Sequence, residues 1–384
     1  MSVIANPLVV PLFEGLAVLP GLAGAVLAPI APAAAHVAMM LAVLPVRAAL
    51  AIVQVIGGWR WSAIDVPFPD VVELGLLYGV LVGFWARGAR LGRLLAVGSL
   101  LLLAVDAGSW AVERTARRDL RVTFLDVGQG DASVVELPGG RVLVVDAGGF
   151  AGSDFDTGAA IVEPFLRARK IQSVDALVMS HAHPDHAGGL AALVRAMAPA
   201  ELWWSGIGGE GVAWTDTVRA LRETGTPVRL LQAGVTIGDF PEVDVLHPPP
   251  GWRLPSLNDG SLVIRIRQDA TGLLLTGDAE QAAETAMQAR ADRLGATILK
   301  VPHHGSRTSS GWPFLDAVDP AIAVASLGAD NRFGHPAPEV EARYAARGVT
   351  LYRTDRCGAV TIAVGHDGIR VVTARPACRE PRGP

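Results

Sequence analysis

Ser180-His181-Ala182-His183-Pro184-Asp185-His186-Ala187-Gly188-Gly189 places three imidazoles and a carboxylate within six residues. The stretch follows the apolar run Val174-Asp175-Ala176-Leu177-Val178-Met179, whose length and alternation predict a β-strand. The ligand-type side chains therefore sit on a loop at the carboxyl end of a strand, the edge where open α/β sheets carry their chemistry. Imidazole with carboxylate suits zinc, and with more oxygen donors manganese or iron. The chain has only nine histidines in 384 residues, so three of them here are not ordinary scatter. Solvated loop histidines are the bland alternative, yet such a gathering calls for a compensating cation.

Four further blocks flank this one. Leu125-Asp126-Val127-Gly128-Gln129-Gly130-Asp131 and Val145-Asp146-Ala147-Gly148-Gly149 precede it; Leu275-Thr276-Gly277-Asp278-Ala279-Glu280 and Lys300-Val301-Pro302-His303-His304-Gly305-Ser306 follow. The central block resembles the H-x-H-x-D-H motif of the metallo-β-lactamase fold. In this order and spacing the five together resemble the carboxy-terminal domain of the ComEC family of DNA-uptake proteins, over roughly residues 119–375. The resemblance implies an α/β fold, a metallo-β-lactamase-like αββα sandwich preceded by transmembrane α-helices. It divides the chain into a membrane region of three to four segments (1–112), a linker (113–118), the hydrolase domain (119–375) and a tail (376–384). Full-length family members carry more membrane helices and an amino-terminal β-barrel domain, so the expectation is a fragment, a split form or a misplaced start.

Two divalent ions, manganese or zinc, are the implied cofactors. His181 and His183 are expected on one metal, Asp185 and His186 on the second, with Asp278 bridging, since one carboxylate can span cations ~3.5–4 Å apart. Of the neighbours His303 and His304, His304 is expected as a ligand and His303 as a substrate contact or proton donor. Lactamase-like hydrolases usually bring a further histidine to the first metal. Here the alternatives are Asn258 or Asp259, water, or His247, and oxygen donors would tilt preference towards manganese. Gly128 and Gly130 read as a phosphate-binding nest, with Asp131 beside them as a phosphate contact or, like Asp146, as a group orienting ligand histidines. Ser306, Thr308 and Ser309 are candidate phosphate contacts, and His335 either approaches the site or belongs to a proline-closed turn.

Composition is uneven. The chain is 51% hydrophobic with a mean hydropathy of +0.37, and residues 1–112 hold few charges. Val3–Ile30 reads as a proline-kinked span, and 36–59 as a span or an interfacial helix. Val71–Trp85 and Leu94–Trp110 read as better spans, with Trp59, Trp61, Trp85 and Trp110 as interfacial aromatics. Arg87, Arg90 and Arg93 favour a cytoplasmic loop, which puts the catalytic domain outside the plasma membrane; Arg114, Arg117 and Arg118 argue the opposite way, but charges leading into a long domain weigh less than those in a short loop. Two cysteines, Cys357 and Cys378, form no metal motif and pair only in an oxidising compartment.

From Leu120 onward, strands are expected at Val122–Leu125, Ser133–Leu137, Val142–Val145, Val228–Leu231, Val243–Leu246, Leu262–Ile266, Leu273–Thr276, Ala296–Val301 and Ala321–Ala325. Helices are expected at Ala159–Ala168 and Gly188–Ala196. The net charge of −4 advertises no nucleic-acid binder, so a local patch from Arg307, Arg332, Arg353 and Arg356 would be needed. The leading expectation is a membrane-anchored, metal-dependent phosphodiesterase acting on DNA, single-stranded by preference, during uptake. Other competence or channel proteins, or a separate amino-terminal membrane chain, are its expected partners. A small-molecule phosphodiesterase and a non-catalytic channel component are the alternatives.

Overall fold

The structure, a computed structural model, describes residues 2–59, 68–150, 152–153, 155–253 and 256–378. Trp61 and the tail beyond 378 lie outside the described residues. Two compact units result, Met1–Val66 and Pro67–Pro384, a division that differs from the compositional one at 112.

In the first unit, helices Ser2–Val10 and Val18–Leu27 are joined by a π-helical segment, Pro11–Ala17, and pack on Pro32–Gly57. Small residues permit the approach: a Cβ on Gly24 would lie 2.9 Å from Met39 Cγ. The outer face keeps Leu16, Leu19, Leu22 and Val26 exposed. Ala5–Leu27 and Pro32–Gly57 are each long and apolar enough to cross a membrane, as is Arg90–Ala116 in the second unit.

Val71–Trp85 is shorter than a comfortable span. Its 15 residues rise about 22 Å at 1.5 Å each, against a hydrocarbon core of roughly 30 Å. It pairs with Arg90–Ala116 through Gly79 and Gly83, which sit against Ser99 and Ala96. The longer helix continues through most of the expected linker and lands on the hydrolase domain. Arg114 Nε donates to Gly140 O at 2.9 Å, Arg117 pairs with Glu136 at 3.2 Å, and Lys170 pairs with Glu73.

The hydrolase domain contains two sheets. The first begins with β1 (Leu120–Phe124), β2 (Ser133–Glu136), β3 (Val142–Val145), β4 (Ala176–Val178), β5 (Glu201–Trp204) and β6 (Val228–Leu230). The second contains β7 (Val243–His247), β8 (Val263–Gln268), β9 (Thr271–Leu275), β10 (Ile298–Lys300), β11 (Ile322–Ala325) and β12 (Thr350–Arg353). The chain then returns to the first sheet as β13 (Val360–Gly365) and β14 (Gly368–Thr373), giving the order β14-β13-β1-β2-β3-β4-β5-β6 beside β12-β11-β10-β9-β8-β7. In each sheet an antiparallel half gives way to a parallel one, at β3/β4 and β9/β10.

Period-2 alternation explains the layers. Leu143, Val145, Ala176 and Val178 face Ile264, Ile266, Leu273 and Leu275 between the sheets. Val142, Val144, Leu177 and Met179 turn outward onto helix Leu190–Met197 and its neighbours. Leu274 and Leu299 turn onto helices Gln281–Gln288, Trp312–Val318 and Pro338–Ala346. The expected αββα sandwich is the observed fold. Strands buried on both faces read as near-continuous apolar runs, which is why these segments were legible.

Candidate metal centre

Five loops leaving the carboxyl ends of strands β1, β3, β4, β9 and β10 converge. Each of the five blocks supplies one of them, and two backbone conformations make the convergence possible. Gly277, at φ +52°, lies where a Cβ would come 2.6 Å from Ser180 Cβ. Gly130, at φ +147°, would place a Cβ 2.3 Å from Asp185 O, so only glycine lets the first loop reach the histidine loop.

Asp185, His186, Asp278 and His304 bring one ligand atom each within 4.8 Å of one another. Asp278 stands at the middle. Its Oδ1 lies 3.1 Å from His186 Nε2, and its Oδ2 lies 3.5 Å from His304 Nε2 and 4.0 Å from His181 Nε2. His183 Nδ1 is 3.0 Å from His181 Nε2, which brings a fourth imidazole to the same cluster. His186 Nε2, His304 Nε2 and Asp278 Oδ1 are buried without a hydrogen-bond partner. Buried polar atoms are rarely left so, and orphaned nitrogens and oxygens facing one point fit divalent cations.

Supporting groups fix the rings. Asp146, itself at φ +58°, accepts from His186 Nδ1–H at 2.8 Å and from Ser180 N–H at 2.8 Å. His304 Nδ1–H donates to Ser326 O at 2.8 Å. Both leave Nε2 aimed inward, the usual way a second layer sets tautomer and orientation. His303 and His304 both have positive φ, 45° and 53°, uncommon for these residues, and the strain splays them. His303 is half-buried, with Nδ1 2.9 Å from Glu280 Oε1 and Nε2 3.8 Å from Asp278 Oδ2.

The electrostatics call for cations. Burial opposes charge on His304, but Asp278 and Asp131 outweigh it and hold the imidazole up at about 10. His186 is likewise raised, against burial, by Asp278 and Asp146. Burial would raise Asp278, yet His186 and His304 hold it well below the usual carboxylate range. A carboxylate field that keeps His186 and His304 protonated, while burial and His186 hold His181 well below the usual imidazole range, is one in which a metal displaces protons.

Several expectations need correction. Asp131 is buried and ion-paired with Lys300, whose Nζ also donates to Gly277 O at 2.9 Å. It supports the centre rather than meeting phosphate. The Asp131 N–H is spent on Asp185 O of the histidine loop at 3.0 Å, and Gly128 N–H points to Asp126 Oδ1, so these two donors are already engaged within the protein. Asp259 is consumed as well: its Oδ1 accepts from Glu280 and Ala283 N–H at the start of helix Gln281–Gln288. Asn258 Oδ1 remains buried and unpartnered, beside His303. His247 Nδ1–H donates to Ser261 O at 3.0 Å and the ring packs on Trp252, leaving its Nε2 buried without a partner outside the Asp185, His186, Asp278 and His304 group. Ser309 Oγ is bonded to Pro302 O, whereas Ser306 and Thr308 hydroxyls sit 3.0 Å apart beside Glu280. Arg307 pairs with Glu339, and Arg353 with Glu341 and Asp355, so neither is an unpaired cation for a nucleic-acid patch. His335 does approach: its ring lies 5.8 Å from that of His303. Lys300 and Glu280 were missed as site residues. A lysine inside the apolar run Ile298-Leu299-Lys300-Val301, one of two in the chain, was the available signal, since buried lysines are rare unless paired.

The chain is 32% identical over 297 residues to competence protein ComA of Neisseria gonorrhoeae, covering 73% of this chain and 40% of that protein. It is 31% identical over 257 residues to ComE operon protein 3 of Bacillus subtilis, covering 62% and 32% respectively. The resemblance to competence proteins is thus borne out, and the chain spans about a third to two-fifths of their length. Among solved structures, the metallo-beta-lactamase fold protein YhfI from Bacillus subtilis aligns with 61% of this chain and 96% of its own, at 13% identity and a TM-score of 0.40. Residues 125–328, more than half of the chain, match the model of the metallo-beta-lactamase superfamily, and to that superfamily the chain belongs.

Proposed function

We propose that this chain is a membrane-anchored, metal-dependent phosphodiesterase that hydrolyses DNA during DNA uptake, acting on the strand that is not imported. The observation that carries it is the convergence of unpartnered His186 Nε2, His304 Nε2 and Asp278 Oδ1, in a chain that is similar to competence protein ComA and ComE operon protein 3.

His181 and His183 would hold one cation, Asp185, His186 and His304 the other, with Asp278 between them. Asn258 Oδ1 would complete the first, and this oxygen-rich set favours manganese over zinc. Bound divalent ions supply charge for the phosphate oxygens and a water acidic enough to be a nucleophile near neutral pH. The chain's own groups do the rest. Asp146 and Ser326 O keep the two imidazoles in one tautomer. Ser261 Oγ accepts the Asp278 N–H at 3.1 Å and fixes that carboxylate's backbone. His303, steadied by Glu280 through Nδ1, offers Nε2–H to the leaving oxygen as the general acid. Ser306 and Thr308 hydroxyls face the same rim.

A 5′-labelled single-stranded oligonucleotide, given to the full chain in detergent after chelation and dialysis, tests this. Cleavage should appear on adding manganese and be absent without metal. Intact DNA alongside hydrolysis of bis(p-nitrophenyl) phosphate would transfer the assignment to a small-molecule phosphodiesterase, the reading that the paired Arg307 and Arg353 favour.

The catalytic domain faces the extracytoplasmic side in this proposal. Arg87, Arg90 and Arg93 mark the opposite end of the helical hairpin, and Cys357 and Cys378 are joined as a disulfide with Cα atoms 4.9 Å apart, which suits an oxidising compartment. In cells quenched with acid, PEG-maleimide should shift the chain only after reduction. Labelling of both cysteines without reductant would put the domain in the cytoplasm.

A further inference from the structure

Beside the metal centre, one ordered loop displays an aromatic that the core does not use. Phe333 is 56% exposed. Its ring lies nearly parallel to that of His335, at 17° and 5.8 Å between centroids, and the Arg332 guanidinium lies 5.2 Å from its centre. His335 in turn meets the edge of His303 at 5.8 Å, and His303 Nε2 lies 3.8 Å from Asp278. The four side chains form a ladder from solvent to the bridging carboxylate.

The loop backbone is held. Asn331 donates to Gly328 O at 3.2 Å and His335 O at 2.8 Å, and accepts the His335 N–H at 2.9 Å. Gly328 N–H reaches Gln129 Oε1 on the first catalytic loop at 3.3 Å, and Ala337 N–H reaches Gly305 O at 2.8 Å. The ring stays 56% exposed on this fixed loop, with the Arg332 guanidinium over it and His335 offset alongside. Burying its exposed area against a flat π-system is favourable, and a guanidinium that already meets the ring suits an adjoining phosphate.

We infer that Phe333, backed by His335 and flanked by Arg332, is a stacking platform for a nucleobase of single-stranded DNA, one that seats the nucleotide next to the scissile phosphate. The inference rests on the phosphodiesterase reading above and adds the substrate's recognised part. Stacking tolerates any base, because each presents a π-face. It also gives a protein of net charge −4 a means of holding DNA that does not depend on a broad basic surface.

The experiment measures binding of a fluorescent oligonucleotide to the full chain in detergent by anisotropy, with calcium as a non-turnover probe metal, and then cleavage with manganese. Phe333→Ala and Phe333→Leu should each raise Kd about tenfold, the scale of one lost base stack, while Phe333→Trp restores tight binding. On strands made abasic at successive positions, one position should cost the wild type the same factor and make Phe333→Ala add nothing further, the signature of a shared contact. Leu binding as well as Phe, or an undiminished Phe333→Ala effect on every abasic strand, overturns the platform while leaving the nuclease reading intact. If the wild type neither binds nor cleaves single-stranded DNA, the nuclease reading falls and the platform with it. Because the ring is exposed, its truncation opens no core cavity, and an unchanged thermal midpoint verifies the fold of each variant.

Discussion

Asp278→Asn is expected to reduce metal-dependent cleavage by about a thousandfold or more. In the proposed centre Asp278 is the carboxylate between the two cations: its Oδ1 lies by His186 and its Oδ2 by His304 and His181. Asparagine keeps the shape and one oxygen but removes the negative charge and the second acceptor, so it cannot bridge two cations. Metal charge is worth several kcal/mol in a phosphoryl transition state, and each ~1.4 kcal/mol is tenfold in rate. A second readout separates chemistry from folding. A cation at a hundred times its Kd stabilises a folded protein by about 2.7 kcal/mol, so manganese should raise the thermal midpoint of the wild type and leave that of Asp278→Asn nearly still. Ser261 Oγ still receives the backbone N–H at position 278, which favours a folded variant. Full cleavage by Asp278→Asn would remove this residue from the centre and the two-metal assignment with it.

How far the sequence could be read depended on what each residue answers to. The strands that build the two inner faces were visible because burial on both sides leaves unbroken runs such as Leu143-Val144-Val145 and Leu273-Leu274-Leu275. Strands β13 and β14 were overlooked despite a clear signal: Val360-Thr361-Ile362-Ala363-Val364 alternates, and His366-Asp367 before Gly368 makes the tight turn between them. The clustered histidines were legible because metal chemistry needs particular atoms at short spacing. As contacts to phosphate or metal, Asp131, Asp259 and Ser309 were ambiguous in the sequence, because an acid or hydroxyl near a motif carries no mark of whether a neighbour has claimed it. Lys300 claims Asp131, two helix-start N–H groups claim Asp259, and Pro302 O claims Ser309. Those partners lie up to 169 positions away in the chain, from Asp131 to Lys300, where only the folded backbone brings them together.

Glu284→Gln should lose less stability than the wild type as pH rises from 5 to 8. Glu284 is buried on helix Gln281–Gln288, where its carboxylate accepts the N–H groups of Ser310 at 2.5 Å and Gly311 at 3.0 Å. These close the loop that starts at His303. Burial pushes its carboxyl up to about 7, although the bonds from Gly311 and Ser310 and the charge of Arg343 pull the other way. The unfolded chain releases that proton near the ordinary 4.5. Between the two values the folded state holds the extra proton, so its contribution is complete below about 4.5 and is lost as pH climbs through about 7. At roughly 1.4 kcal/mol per unit, the loss amounts to about 3 kcal/mol at most. Glutamine stays neutral throughout and keeps one carbonyl acceptor, so it gives up a hydrogen bond at pH 5, a cost of about 1 kcal/mol, and gains on the wild type by pH 8. Thermal midpoints of both chains at the two pH values measure the difference directly, with the histidines common to both cancelling. Parallel loss in the two would mean that Glu284 is already ionised at pH 5. In that case the two backbone N–H bonds, rather than burial, set its charge, and the loop behind His303 and His304 is held as firmly in base as in acid.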